Sequence, residues 1–247
     1  MVQRKGCMVN IDDYFTGLAL GVRFRANFSI EDQMGSILDR ILYSKNSYFN
    51  PAVFPKVKNS IGSKVLFNED TQSRIHIDNS NIILDINFSE EKGFIKNNTG
   101  EILQKFEEQI LKNILVEYKI KEIVRIGYIK RYVYPISELA NTFVNKTIGN
   151  TLGGINDINL SFSKKFVTPE AQVQKDINDF DNAIFNVVKK ADLDEIFMSI
   201  DYQKYYHPFL ISAADIKLKQ FIDRAELFNK GNYVEWLNRN YLEAENA

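Results

Sequence analysis

The sequence predicts an α+β fold of two pseudo-symmetric halves, each ordered strand, helix, three strands, helix, with antiparallel sheets covered by helices. Three observations carry that expectation. Residues 21–38 (GVRFRANFSIEDQMGSIL) align without a gap on 127–144 (GYIKRYVYPISELANTFV): Gly21 falls on Gly127, Arg25 on Arg131, Phe28 on Tyr134, Ile30 on Ile136 and Ser36 on Thr142. A second pair of segments, Ile82–Phe88 and Ile196–Tyr202, repeats one apolar strand pattern, and such internal similarity marks a repeated unit. The strand patterns also come in runs between helices and do not alternate with them one for one, which argues against a doubly wound parallel sheet.

Residues 1–14 read as a flexible polar tail, 15–119 as the first half, and 120–247 as the second half with a short C-terminal helix. Leu18, Leu20, Val22, Phe24, Ala26 and Phe28 alternate with Ala19, Gly21, Arg23, Arg25 and Asn27, the period of a half-buried strand. Ser29, with Asp32 three residues on, reads as the cap of a helix whose apolar stripe is Met34, Ile37, Leu38, Ile41 and Leu42. Residues 44–63, with Pro51, Pro55 and Gly62, read as a long connection. Strands are expected at 64–68, 73–79 and 81–89. A helix from Thr99 follows, with Ile102, Phe106, Ile110, Ile114 and Tyr118 on one stripe. The second half is expected to run as a strand at 121–134, a helix at 136–147, a Gly- and Asn-rich loop at 148–157, and strands at 158–167, 181–190 and 194–204. Ser212 with Asp215 then opens a helix, and Asn232 with Glu235 a last short one carrying Trp236, Leu237 and Tyr241.

Apolar residues make up 45% of the chain and aromatics 13%, enough for a sizeable core. The 31 basic and 32 acidic side chains nearly cancel, so the net charge gives no steering toward nucleic acid or a membrane. One cysteine, Cys7, excludes an internal disulfide framework, and with only His76 and His207 beside it argues against a zinc site. No window holds the ~20 apolar residues of a membrane span, and the N-terminus lacks the apolar stretch of a secretory signal. The expectation is a cytoplasmic protein without cofactor or metal.

The candidate site residues lie on the repeated strands. On the second copy Arg125, Gly127, Ile129, Arg131 and Val133 share one face, and Ile126, Tyr128, Lys130, Tyr132 and Tyr134 the other. Arg23 and Arg25 hold the equivalent region of the first copy. A guanidinium grips a carboxylate or phosphate through two bonds, and a sheet bearing Arg and Tyr can contact single-stranded nucleic acid by pairing and stacking. A solvated face of an antiparallel sheet also carries charge as a matter of course. Asp85 and Asp201 sit on the polar faces of their strands, where either can pair with Arg125 or Arg131.

Other short motifs carry less. Asp85 with Glu90, Glu91 and Lys92 has the residue types of a metal-dependent nuclease but lies at a turn. Ser161 and Lys164 match S-x-x-K, yet a strand points them to opposite faces. Gly153 and Gly154 form no phosphate loop. His76 falls beside Arg74 and Asp78 on a polar face. No nucleophile and base can be paired from the sequence.

The run Arg125-Ile-Gly-Tyr-Ile-Lys-Arg-Tyr132, with Val22-Arg23-Phe24 before it and Met198-Ser-Ile-Asp201-Tyr202 after it, resembles the motif order of an uncharacterised, sporadically distributed bacterial protein family of about this length. Where an Arg-Tyr-Ile-Asn core belongs to that pattern, this chain has Tyr-Ile-Lys-Arg-Tyr. The resemblance implies a bacterial accessory protein with no assigned activity, of the patchy distribution that suits mobile elements or antiviral defence loci.

The resulting expectation is a non-enzymatic binding or scaffold protein that docks a protein partner, with homo-oligomerisation left open. Arg23, Arg25, Arg125, Arg131 and Asp201 are the binding residues, and Tyr128 and Tyr132 the alternatives if the sheet is read from its other face. The second expectation is a nucleic-acid-binding module using the same arginines.

Overall fold

The computed structural model describes residues 11–89, 94–135, 158–173, 178–189 and 195–235. Its strands are β1 (Phe15–Phe24), β2 (Lys56–Ser60), β3 (Ser63–Asn68), β4 (Ser73–Asp78), β5 (Asn81–Asn87), β6 (Lys121–Pro135), β7 (Ile158–Val167), β8 (Phe180–Lys189) and β9 (Glu195–Ser212). All nine form one antiparallel sheet in the order β2-β3-β4-β5-β1-β6-β9-β8-β7. The strands from before and after residue 120 join into a single sheet because β1 and β6 pair with each other, Gly21 directly opposite Gly127.

Period-two patterning decides which face is buried. Leu18, Leu20, Val22 and Phe24 of β1 are buried, and the same face continues through Ile126, Tyr128, Tyr132 and Tyr134 of β6. Ile196, Met198, Ile200 and Tyr202 extend it across β9, and Ile82, Leu84, Ile86, Ile75 and Ile77 across β5 and β4. Buried helix residues belong to the same hydrophobic cluster: Ile30 of α1 (Ser29–Asp32), Ile37 and Ile41 of α2 (Met34–Tyr43), and Ile102 of α3 (Thr99–Lys105). Burying each such side chain stabilises the fold by roughly 1.5–3 kcal/mol. A short α4 (Pro169–Val173) precedes β8, and Leu218, Phe221, Ile222 and Ala225 of α5 (Leu218–Phe228) complete the cluster.

Local chemistry departs from expectation at four places. Ser29 is the first residue of α1 and not its cap, a position Phe28 holds without a side-chain bond, and the Ser29 backbone N–H and hydroxyl both donate to the Asn27 side-chain oxygen, at 3.1 and 2.7 Å. Strand β2 lies inside the expected connection. All five of its residues are exposed, so no apolar alternation betrays it. The helix after Thr99 widens to π pitch over Phe106–Val116. Its stripe repeats every four residues, more than the 3.6 of an α turn, and the wider turn takes up the drift. At the C-terminal end α5 continues through Asn229–Val234, so Asn232 sits within a helix and does not begin one. The expected helix at 136–147 and the loop at 148–157 lie outside the described residues.

Charged groups also enter the core face. Lys130 is buried with its Nζ 3.1 Å from Glu226 Oε2 on α5 and 3.6 Å from Asp12 Oδ1, while the Tyr128 hydroxyl donates to Glu226 Oε1 at 2.9 Å. Burial, reinforced by the Glu226 carboxylate, pushes the Tyr128 phenol well above its ordinary value and keeps it a donor. Two residues earlier, Arg224 Nε stands 3.5 Å from Asp181 Oδ2, to which the Tyr202 hydroxyl donates at 2.7 Å. These bonds fix the rotation and height of α5 on β6, β8 and β9. Glu226→Ala leaves Lys130 only the longer contact to Asp12 and takes the acceptor from the Tyr128 hydroxyl, and should cost about 2–4 kcal/mol in urea denaturation. The triple change Glu226→Leu, Lys130→Met and Tyr128→Phe should recover most of that loss, because no uncompensated charge remains buried.

Candidate functional site

The other face of the sheet gathers the predicted arginines. On β1, Gly17, Ala19, Gly21 and Arg23 stand opposite Arg131, Ile129, Gly127 and Arg125 of β6. Asn87, Asp85, Ile83 and Asn81 of β5 flank them on one side, and Ser199, Asp201, Gln203 and Tyr205 of β9 on the other. Arg25 follows just beyond β1. Parity along antiparallel strands brings these residues together although they come from segments more than a hundred positions apart.

At the centre is a small hollow of about 80 Å³, lined by Ala19, Gly21, Arg23, Ile83, Arg125, Gly127, Ile129, Asp201 and Gln203, among others. The facing glycines form its floor. A Cβ at Gly127 would fit in ordinary contact with Asp201 Oδ1 at 3.8 Å and Gln203 Cγ at 3.9 Å, whereas one at Gly21 would meet Ile83 Cγ1 at 3.1 Å. Gly17 serves a different purpose, because a Cβ there would lie 2.5 Å from the Ile86 carbonyl oxygen and 2.9 Å from Arg131 Nη2. Its bare backbone lets the Arg131 guanidinium lie across β1.

The four central predicted residues are held differently. Arg131 Nη2 donates to the Leu18 and Ile86 carbonyls at 3.3 and 2.8 Å and to Asn87 Oδ1 at 3.0 Å, while Nη1 is 2.6 Å from Asp85 Oδ1. The other Asp85 oxygen takes Arg74 at 3.0 Å. Arg131 is thus a cross-strand tie. Arg125 is braced from one side, with Nη1 3.3 Å from the Tyr205 hydroxyl and 3.4 Å from Gln203 Oε1, and its guanidinium over the Tyr205 ring. Tyr205 in turn donates to Gln203 Oε1 at 2.7 Å, and the Gln203 amide donates to Asp201. Arg23 is exposed and makes no hydrogen bond or ion pair among the described residues. It faces Arg125 in register, and like charges directly opposed on a sheet repel.

Burial pushes the Asp201 carboxyl above the ordinary carboxylate range, against the pull of the Gln203 amide and the Arg125 guanidinium. At the rim, Arg25 meets Glu122 at 3.3 Å with both side chains largely in water, a pair worth little.

Tyr128 and Tyr132, the alternatives from the opposite face of β6, lie in the core at 0% and 1% exposure and present no surface to a partner. Their apolar neighbours on β1 and β9 put that face inside. His76 stands 3.2 Å from Asp78, and Ser161 and Lys164 occupy β7. Glu90, Glu91, Lys92, Gly153, Gly154 and Cys7 lie outside the described residues. Sequence reading missed Ile83, Gln203 and Tyr205, whose contact with Arg125 or the hollow depends on strand register. The repeated Gly21 and Gly127 were the available signal.

Among the described residues, no three His, Cys, Asp or Glu side chains gather as metal ligands, and no helix is long and apolar enough to cross a membrane. No protein-family model matches the chain, and no curated protein matches it.

Arg131→Ala should destabilise the fold by about 1–3 kcal/mol, since it leaves two carbonyls and Asp85 short of a charged donor. Arg23→Ala should stay within about 0.5 kcal/mol of the parent in the same denaturation series. A carboxyl whose folded pKa lies above its unfolded value favours folding most when protonated, so its contribution is lost as pH rises through that interval. Asp201→Asn should therefore be more stable than the parent near about pH 7, with the gap closing toward about pH 3 in thermal melts.

Proposed function

We propose that this is a non-enzymatic docking or scaffold protein that binds a protein partner through the sheet face centred on Gly21 and Gly127. The supporting observation is that half of the cations named on this face are already matched to carboxylates within the chain. Arg131 and Arg74 share Asp85, Arg25 meets Glu122, and Lys56 meets Glu69. A nucleic-acid backbone calls for a track of cations left to phosphate. A protein interface instead combines apolar contact with a few directed polar bonds. Ile83, 36% exposed beside the central hollow, offers such contact.

One observation favours the second reading, a nucleic-acid-binding module. On this face, among the described residues, cations sit over aromatic rings at three points: Arg125 over Tyr205, Lys58 over Phe67, and Lys165 over Phe180. Phe180 also stacks on Tyr205. Rings and guanidiniums alternating on a sheet suit base stacking, but these rings are already covered by the chain's own side chains.

The proposal includes a duplication: two halves that meet at β1 and β6, with helices covering the sheet. In support, β5, β4 and β3 follow outward from β1 as β9, β8 and β7 do from β6. Gly21 faces Ile83 and Gly127 faces Gln203, so the equivalence between β5 and β9 is displaced by six residues from the pairing of Ile82–Phe88 with Ile196–Tyr202. A cytoplasmic location is part of the same reading, and so is a defence-related accessory role in a bacterium, which rests on the resemblance alone.

A tagged pull-down from the native host tests it, run with the parent and with Ile83→Glu, each with and without nuclease. The expected result is a protein captured by the parent, retained after nuclease and lost from Ile83→Glu at unchanged circular dichroism. Loss of all captured material on nuclease treatment would overturn the docking reading in favour of nucleic acid.

A further inference from the structure

The central hollow has the make-up of a receptor for a single negative charge. Arg23 and Arg125 face each other on adjacent strands and both line it. Two guanidiniums so placed repel until an anion sits between them. Arg125 is held ready by the Tyr205 hydroxyl and ring and by Gln203, which lowers the ordering cost of binding. Arg23, with no bond among the described residues, is available to close over the ligand. Ala19, Ile83 and Ile129 wall the hollow with apolar surface, and charge pairs strengthen where water is displaced.

Charge narrows the ligand. Asp201 borders the Gly127 floor, 3.8 Å from where a Cβ would stand. Its carboxyl opposes a doubly charged phosphate more than a singly charged acid. The hollow also offers side-chain donors only. The amides of β1 and β6 face each other and their neighbours in the ladder, so there is no backbone nest of the kind that captures a chain terminus.

We infer that Arg23 and Arg125 grip the carboxylate of one Asp or Glu side chain projecting from the protein partner into the hollow over Gly21 and Gly127. The inference rests on the docking reading and gives it an anchor.

The test is an NMR titration of the full chain, following arginine Nε–H signals and isoleucine methyls. The probes are blocked tripeptides Ala-Glu-Ala and Ala-Gln-Ala, and inorganic phosphate. The Glu peptide should shift Arg23, Arg125, Ile83 and Ile129 saturably. The Gln peptide should not, and phosphate should bind more weakly. Arg23→Gln, at an exposed position, should weaken the Glu peptide about tenfold, the loss expected for one arm of a charge-assisted pair. Equal response to the Gln peptide, tighter binding of phosphate, shifts spread to Arg74 and Arg25, or no saturable response would each overturn the inference. Should no probe titrate while Ile83→Glu still abolishes partner capture, docking stands and the anchor falls. Should the Glu peptide titrate while capture ignores Ile83→Glu, the docking reading falls, and with it the partner as source of the acid.

Discussion

The pairing of β1 with β6 is the constraint on which the rest of the structure depends. It turns the strands of both chain halves into one sheet, and it fixes which side chains meet at the centre. With Gly21 against Gly127, Arg23 must face Arg125 and Gly17 must face Arg131. A slip of one residue would exchange the buried and open faces of every central strand. The tyrosines of β6 would then be carried out of the core and its arginines into it, at a cost no helix could offset. Arg131 secures the register from the open side by bonding β1 and β5 together, and it fits there because Gly17 carries no side chain. On the core side, Lys130 and Tyr128 hold α5 through Glu226.

The same constraint gives the arginines separate roles. Residues of one type on one face look alike as sequence, yet their surroundings differ sharply. Arg131 spends its donors on carbonyls and Asp85, and Arg25 meets a carboxylate in water. Arg125 is hydrogen-bonded to neutral groups with the Asp201 carboxyl in electrostatic reach, and Arg23 stands exposed. Among the arginines of this face, positive charge left for a partner is therefore concentrated at the central hollow, which favours a single acidic anchor over a phosphate track.

Much of this was legible in the sequence because it follows from period and parity. Alternation across Leu18–Phe24 and Ile126–Tyr134 located the central strands and sorted Arg23, Arg125 and Arg131 from Tyr128 and Tyr132. The stripe from Ile102 to Ile114 located its helix. What escaped depends on long-range geometry or on the lack of burial. Lys56–Ser60 buries nothing, so it carries no strand period even though it closes one sheet edge. Gln203 and Tyr205 gain their meaning only from Arg125, 78 and 80 positions away. Ser29 starts its helix and bonds back to Asn27, a local geometry that residue types alone do not set.

The central claim is that the open sheet face, and not the helical side, meets a protein. Site-specific photo-crosslinking in the native host tests it most directly, with the crosslinking residue placed at Ile83 in one variant and at Gln104 of α3 in another. The account predicts a discrete, nuclease-resistant protein adduct from position 83 and none from position 104. An adduct from position 104 alone, or nucleic acid as the species captured from position 83, would contradict it.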